Sequence, residues 1–509
     1  MPVEEIVERP PRRTWRNYHK TGTSTLRRRF GLRSAGLGTG RDDLREGAEA
    51  VRTWLNEAKD AGVRIRPVGG AWSPSNIQIV EDGWMLNTRR FNRCFRLAPG
   101  DFADPAADSD AFLLVEGGIQ IDEINDKLEA AGMDRSLRST GASNGQTIAG
   151  ACATGTHGSV LGAGGIQDHV CAVQIVTPGG IHWIEPSTPL MSDAFISATG
   201  AGQVRRSDEA FAAAQVAVGA LGVVTAMVLR TRPLFYLQAI LKVIDFRRDD
   251  LQLLADGDFR AFSGRHGLPE DPYFVMVITN PYKPFKRKAV VRFLYERTDL
   301  SGCRRVETPA ELGAGYDSFT MLGWVLHNLP WARGWILQKI MTLAVGKGIT
   351  EQDKHVGTWG ETTETHKPLA RLFTGALFFD RADLPRIFER GCAAFAGAGG
   401  ATAVTLRFMK GPHGLLSPAR WAETAGMDCD GPDSPRTRTA FRRMMAVLDE
   451  AGIPFTRHWG KFNELDAERV ERDYGGDLHR WKRVRDDLLP AADRGLFRTR
   501  VLDHWGLTA

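Results

Sequence analysis

The chain has 509 residues, of which 42% are hydrophobic and 25% are charged, and its formal net charge is +5. This composition is typical of a soluble globular protein, and the length exceeds what one ordinary core can bury, so we expect two or three domains. The small net charge and the lack of a basic stripe with interleaved aromatic residues argue against nucleic-acid binding.

The N-terminal residues 1–34 differ from the rest, because they contain the basic stretches RPPRRTWRNYHK and LRRRFGLR. They contain no apolar run of signal-peptide length, so we interpret them as a basic arm that is mobile or docked on the surface. The six cysteines form no C-x-x-C pair and have no histidine cluster beside them. This spacing disfavours a zinc site and suits a reducing cytoplasm.

Helices and strands alternate before residue 140. Ala48, Val51, Leu55 and Ala58 keep helical spacing, and Gly62 stands where a helix C-terminal cap belongs. The predicted elements are a helix at 41–62, a strand and tight turn at 63–76, strands at 83–97 and 111–120, and a helix at 121–133. The turn at 63–76 combines two glycines with nearby Ser and Asn side chains, which can cradle an anion.

A glycine-rich loop at 140–165 is the most distinctive stretch of the chain. Glycine lets the backbone approach a large ligand closely, and the backbone amides can donate to phosphate oxygens or to a flat heteroaromatic ring. The hydroxyls of Ser143, Thr147, Thr154 and Thr156 add further polar contacts. A plain surface loop is the alternative interpretation.

Strands at 170–184 and 220–234 and a helix at 203–219 are predicted after this loop. The chain lacks both a P-loop and the G-x-G-x-x-G turn of a dinucleotide-binding domain, with its acidic residue at the expected offset. A large cofactor would therefore be held by two separated glycine-rich loops.

Four motifs occur in one order: PVGGAWSPSN, TIAGACATGTHGS, ALGVVTAMVL and RHWGKFN. Together they resemble the FAD-binding oxidoreductases of the vanillyl-alcohol-oxidase type, with a PCMH-type FAD domain. The nearest branch holds the aldonolactone oxidases, such as L-gulonolactone oxidase, and the alditol oxidases. The resemblance implies an α+β fold with a two-part FAD-binding domain at 35–236, an α+β cap (substrate) domain at 237–455 and a C-terminal segment, 456–509, that returns to the FAD domain.

The resemblance also implies a set of cofactor-binding residues. Trp72 stands where covalent members of the family have the histidine that is bonded to the flavin, so we predict non-covalent FAD. His157 has an alternative role, which is to orient its loop by hydrogen bonding. The implied FAD-binding residues are Pro67, Val68, Gly69, Gly70, Ala71, Trp72, Ser73, Ser143, Thr147, Gly150, Thr154, Gly155, Thr156, His157, Gly158 and Val223 or Val224.

The predicted substrate site departs from the family pattern. The strand at 401–409 matches one that ends in E-x-R, but Thr405 replaces the glutamate beside Arg407, and Ala142 lies where a substrate serine is often found. Strand alternation places Thr405 and Arg407 on one face, where a buried arginine would need an acidic partner or a ligand. A surface arginine is the alternative. Without the carboxylate we expect selection of simple polyols to weaken about tenfold to a hundredfold.

Lys461 in the H-W-G-K turn is the first catalytic candidate. His458, in the same turn, and Arg407 are the other two. A fixed cation would stabilise the negative charge that develops on a reduced flavin. We therefore expect an FAD-dependent oxidase or dehydrogenase that oxidises a CH–OH group of a sugar lactone, polyol or related alcohol by hydride transfer to flavin N5. Its partners would be a small-molecule substrate and oxygen or another electron acceptor.

Segment 321–346 is long and apolar but contains His327, Pro330, Arg333 and Lys339. Charged residues at mid-span are costly in a bilayer, so we favour two cap helices divided at Pro330. An interfacial membrane patch or a lid is the alternative. The membrane alternative leaves open a membrane-associated dehydrogenase that passes electrons to a quinone. A non-redox or degenerate FAD-binding protein is a separate alternative function.

Overall fold

The computed structural model describes residues 6–7, 14–33, 42–141, 143–286, 288–306, 355–363 and 371–508. Ala142 and segment 321–346 lie outside these ranges, so what the sequence predicts for them stays a prediction. Within the described residues, no helix is long and apolar enough to cross a membrane.

The N-terminal half contains two large sheets that meet at the predicted cofactor loops and one small sheet. The strands are β1 (Ile6–Val7), β2 (Thr14–Arg16), β3 (Thr23–Arg33), β4 (Ile65–Val68), β5 (Gly83–Arg90), β6 (Cys94–Arg96), β7 (Phe112–Glu116), β8 (Arg135–Ser136), β9 (Val170–Thr177), β10 (Gly180–Glu185), β11 (Gln203–Arg206), β12 (Val223–Arg230) and β13 (Arg232–Pro233). One large sheet has the order β1-β3-β5-β4, with β2 paired to β3, and the other has the order β11-β10-β9-β12-β7-β6. The small sheet consists of β8 and β13.

Helices cover these sheets through apolar faces that the sequence pattern anticipates. The first helix buries Leu44, Ala48, Val51 and Leu55, which repeat every three or four residues. Gly62 follows it with φ 61°, the left-handed conformation of a helix cap. The helices of this half are α1 (Asp42–Asp60), α2 (Ile121–Glu129), α3 (Ile148–Thr154), α4 (Asp193–Ala198) and α5 (Asp208–Gln215).

The N-terminal stretch differs from the arm that its basic sequence suggested. Strand β3 pairs in parallel with β5, with Phe30 opposite Leu86, and Phe30 is fully buried. Residues 14–33 therefore contribute two strands to the first sheet. Three consecutive arginines, 27–29, precede buried Phe30 in β3, and the pairing with β5 depends on residues distant in sequence, so charge alone gave a misleading picture of this stretch.

Two other elements differ from the sequence prediction. Residues 203–219 were expected to form one helix, but Gln203–Arg206 is a strand parallel to β10, and Ser207 caps helix α5 by accepting from the amide of Ala210. The glycine-rich loop contains α3, which ends at Gly155 with φ 70°. Side-chain capping by Ser207 and pairing with β10 outweighed local periodicity at 203–219.

The cap is built on a sheet with the order β17-β18-β14-β16-β15-β20-β21-β19-β22. Its strands are β14 (Tyr236–Asp245), β15 (Phe274–Thr279), β16 (Lys288–Arg297), β17 (Arg304–Arg305), β18 (His355–Gly357), β19 (Leu372–Asp380), β20 (Ala403–Lys410), β21 (Glu423–Pro432) and β22 (Thr456–Arg457). Helices α6 (Arg248–Asp256), α7 (Phe259–Arg265), α8 (Trp359–Thr362), α9 (Leu384–Gly397) and α10 (Pro435–Glu450) accompany them.

The C-terminal segment contributes to both parts of the molecule. Strand β22 pairs with β19 of the cap sheet, whereas Val470, Leu478 and Trp481 belong to the buried core of the first domain. The later helices are α11 (Ala467–Tyr474), α12 (Gly476–Leu488), α13 (Ala491–Arg494) and α14 (Arg500–His504). The turn between β22 and α11 therefore lies where the cap meets the first domain.

Candidate functional site

A cavity lies between the loops of the first domain and one face of the cap sheet. Residues 67–74 and the glycine-rich loop form its wall on the first domain, and residues 217–219 continue that wall. The opposite wall carries polar and charged side chains from the cap and the C-terminal turn: Thr374, Arg407, Asp428, Asp430, His458 and Lys461. One cavity thus joins the two loops that the sequence predicted to hold a cofactor with the predicted catalytic cations.

The turn after β4 packs directly against the start of the glycine-rich loop. A Cβ atom at Gly69 would lie 2.1 Å from Thr147 Oγ1, and one at Gly70 would lie 2.8 Å from the carbonyl oxygen of Gly145. Only glycine allows so close an approach, because any larger residue would push the two loops apart. The contact leaves the backbone of both loops beside the cavity.

The lining suits a large cofactor with phosphate oxygens, hydroxyls and a flat ring. Backbone amides and the hydroxyls of Ser73, Ser143 and Thr154 line it. Two lining side chains also have a buried oxygen without a hydrogen-bond partner among the described residues, Gln78 Oε1 and Gln146 Oε1. Unpaired buried polar atoms are costly, so a ligand that supplies their partners would stabilise the site. FAD fits this donor set.

A charged cluster forms the cap side of the cavity. Arg407 Nε lies 2.7 Å from Asp428 Oδ2, and Lys461 Nζ lies 3.3 Å from Asp428 Oδ1. The Asp428 side chain is 1% exposed and that of Arg407 8%. Burial alone would raise the pKa of Asp428, but Lys461 and Arg407 outweigh burial and hold that pKa below its ordinary value. Asp428 therefore stays ionised between the two cations.

Register explains why these side chains meet. Thr405 lies directly opposite Asp428 in the pairing of β20 and β21, and Arg407 lies opposite Gly426. Opposed residues of an antiparallel pair share a face, so the absence of a side chain at Gly426 leaves room beside Arg407. The acidic partner that Arg407 was expected to need is Asp428. Asp428 brings a carboxylate to the face where Thr405 has none, but Arg407 and Lys461 engage its two oxygens, so weak selection of simple polyols stays a prediction.

Two histidines adjoin the cluster in complementary tautomers. His157 Nδ1 lies 3.1 Å from the carbonyl oxygen of Gly158 and must donate to it, whereas His458 Nδ1 accepts from the amide of Gly460 at 2.9 Å. Burial, with smaller contributions from the nearby cations, lowers the pKa of His157 to about 3 and that of His458 well below its ordinary value. Both rings are therefore neutral at pH 7, and Arg407 and Lys461 carry the positive charge.

The structure brings most of the predicted site residues together at this cavity. Val224 lines the cavity. Three predicted residues do not line it: Gly155, Gly158 and Val223. Thr405 is buried without lining the cavity, and Ala142 lies outside the described residues. The predicted residues that line the cavity are Pro67, Val68, Gly69, Gly70, Ala71, Trp72, Ser73, Ser143, Thr147, Gly150, Thr154, Thr156, His157, Val224, Arg407, His458 and Lys461.

Sequence reasoning missed several residues of the site. Asp428 and Asp430 stand two apart in the apolar strand TAGMDCDGP, and that period-two spacing already predicts one shared face. Arg66 donates to the carbonyl oxygens of Val218, at 3.0 Å, and Gly219, which fixes the far wall of the cavity. No local sequence pattern marked His19 as a site residue, because it lies in the basic stretch that was interpreted as an arm.

Residues 46–184 match the model of the FAD binding domain family. This part of the chain is thus similar to an FAD binding domain, which agrees with the resemblance that the sequence motifs indicated. The match covers the turn after β4 and the glycine-rich loop, which together form the first-domain wall of the cavity.

Curated relatives include lactone oxidases. The L-gulonolactone oxidase of Scyliorhinus torazame is 28% identical over 484 residues, which cover 89% of this chain and 92% of that protein. The D-arabinono-1,4-lactone oxidase of Debaryomyces hansenii is 26% identical over 204 residues, 39% of this chain. The aligned stretch spans only 33% of the length of that relative.

A solved structure extends the similarity of fold to the whole chain. Cholesterol oxidase from B. sterolicum superposes with a TM-score of 0.71 at 14% identity, covering 99% of this chain and 97% of that one. This likeness confirms the predicted α+β fold class.

Proposed function

We propose that this protein is an FAD-dependent oxidoreductase that oxidises a CH–OH group of a sugar lactone, a polyol or a related alcohol. One observation carries the proposal: a cavity lined by the two glycine-rich loops ends at the cation pair Arg407 and Lys461, held by Asp428. The FAD binding domain and the names of the relatives support the same reaction type. We also propose oxygen as the electron acceptor.

Each group of residues has a defined task in this reaction. Bound FAD would supply a hydride acceptor. The backbone and hydroxyls of residues 67–73 and 143–157 would hold its phosphates and ring. Arg407 would orient the substrate oxygen, because a guanidinium presents fixed donors, and Lys461 would stabilise developing negative charge. The neutral His157 and His458 fill space beside these cations without adding charge.

Replacing either cation with alanine is the direct test of this assignment. We expect Arg407→Ala and Lys461→Ala each to slow anaerobic flavin reduction about a hundredfold, the usual effect of removing one group that stabilises developing charge. Stopped-flow absorbance with a panel of lactones, polyols and amines measures the rate and selects the substrate. Lys410→Ala is the matched control. Lys410 lies on β20, the strand of Arg407, but it pairs with Glu423 outside the cavity. Unchanged reduction in Arg407→Ala would contradict the assignment.

We further propose that FAD is bound non-covalently. Trp72 lines the cavity at the position of the linking histidine, and an indole ring cannot form that bond. Acid precipitation of the yellow holoprotein should therefore release the flavin into the supernatant. Colour that stays in the pellet would contradict this prediction.

A cytoplasmic location completes the proposal. The cysteines Cys94, Cys152, Cys171, Cys303, Cys392 and Cys429 are all unpaired. Free thiols spread through a chain of this length suit a reducing compartment.

A further inference from the structure

We propose that the N-terminal turn, residues 17–22, is part of the cofactor site and that His19 contacts bound FAD. This inference rests on the proposed FAD-dependent function. The turn lies outside residues 46–184, which match the FAD binding domain, and it connects β2 to β3, the strand that pairs with β5 of the first sheet.

The N-terminal turn is fixed to the cofactor-binding turn by several contacts. The amide of Tyr18 donates to the carbonyl oxygen of Ala71 at 3.0 Å, and Asn17 Nδ2 donates to that of Ser73 at 3.1 Å. The rings of Tyr18 and Trp72 are stacked, with centroids 4.0 Å apart and planes at 17°. Movement of the N-terminal turn must therefore disturb the turn that faces the cofactor.

His19 reaches from this turn to the cavity wall. Its ring lies edge-on to Trp72, with centroids 5.8 Å apart, and it is one of the lining residues, as are Trp72 and Lys461. Only 5% of His19 is exposed, and its Nδ1 has no hydrogen-bond partner among the described residues. A buried polar atom in that condition is unfavourable unless a ligand completes its surroundings.

The charge state of His19 suits a cofactor contact. Burial, with a smaller contribution from Lys461, lowers the pKa of His19 to about 4. The neutral ring can donate or accept, depending on its tautomer, and adds no positive charge beside Lys461. A flavin ring offers both kinds of partner, so either tautomer can be satisfied.

FAD release from the purified holoprotein tests the inference. We expect His19→Ala to increase the rate of FAD dissociation on dilution about tenfold, the effect of one hydrogen bond to a buried group. Flavin fluorescence, which rises on release, measures the rate. The matched control is His182→Ala, because His182 is equally buried in the first domain, has a pKa lowered to about 4, and does not line the cavity. The control should release FAD at the wild-type rate.

Limited trypsinolysis gives a second readout that does not depend on a variant. Lys20 is exposed at the tip of the turn, so FAD should protect the bond after Lys20 in the wild-type protein. Equal cleavage with and without FAD, or equal FAD release from His19→Ala and wild type, would overturn the inference alone. Wild-type protein that binds no FAD would overturn the proposed function and this inference together.

Discussion

Asp428→Asn is expected to lower the free energy of unfolding by about 3–5 kcal/mol, because it leaves buried Arg407 without its anion. The same change removes the charge that holds Arg407 and Lys461 together, at 2.7 Å and 3.3 Å from the carboxylate. Two cations of like charge would then share a site of low dielectric, and we expect flavin reduction to slow as well. Denaturant unfolding followed by tryptophan fluorescence measures the loss of stability.

Asp430→Asn is the matched control for this substitution. Asp430 lies two residues further along β21, its side chain is 35% exposed, and its Oδ1 is 3.8 Å from Lys461 Nζ. A longer and more solvated ion pair contributes about 0–1 kcal/mol, so this variant should remain close to wild type. Equal stability of the two variants would show that Asp428 does not hold the cluster.

Acid is expected to destabilise the protein between pH 7 and pH 5. Burial lowers the pKa of His157 to about 3 and that of His19 to about 4, and it holds the pKa of His458 far below its ordinary value. The unfolded chain binds protons at these histidines below about pH 6.5, whereas the folded chain does not. Stability is therefore complete above that pH and falls as the pH decreases. At pH 5 each of these three histidines costs about 2 kcal/mol, or about 6 kcal/mol for the cavity, and His182, whose pKa burial also lowers to about 4, adds to the loss.

Thermal unfolding at a series of pH values measures this effect. A loss of about 6 kcal/mol is comparable to the whole stability of many domains, so the unfolding temperature should drop steeply by pH 5. Most carboxylates titrate below that window and contribute little to it. His157→Gln should have a shallower slope than the wild type, because it removes one of the titrating rings. An unfolding temperature that is flat from pH 7 to pH 5 would contradict the prediction.

Local patterns in the sequence predicted much of the fold. The helical spacing of α1 and the glycine after it are properties of adjacent residues, and both are observed. Residues 203–206 show the limit of such patterns, since they become a strand only because β10 offers them a parallel partner. Strand β3 is a similar case, because its pairing with β5 joins residues that are far apart in sequence.

The site, too, was predicted only where local patterns determine it. The need of Arg407 for an acidic partner followed from strand alternation on its own strand. The identity of that partner did not, because Asp428 meets Arg407 only through the pairing of β20 with β21. His19 depends on a contact between residues 17–22 and 71–76, which are far apart in sequence. Long-range pairing of this kind is invisible to motifs and periodicity.

Strand β22 and the turn after it join the two walls of the cavity. Phe378 pairs with Thr456, and the amide of Phe462 donates to the carbonyl oxygen of Thr374 at 2.8 Å. The turn that carries Lys461 is thereby fastened at both ends to β19, the neighbour of the strand that carries Asp428. The same turn is bound to the first domain, because the amide of Ser75 donates to the carbonyl oxygen of Gly460 at 3.3 Å and Trp459 is buried in the core of that domain. The turn is therefore a cross-link that sets the distance between the charged cluster and the cofactor loops.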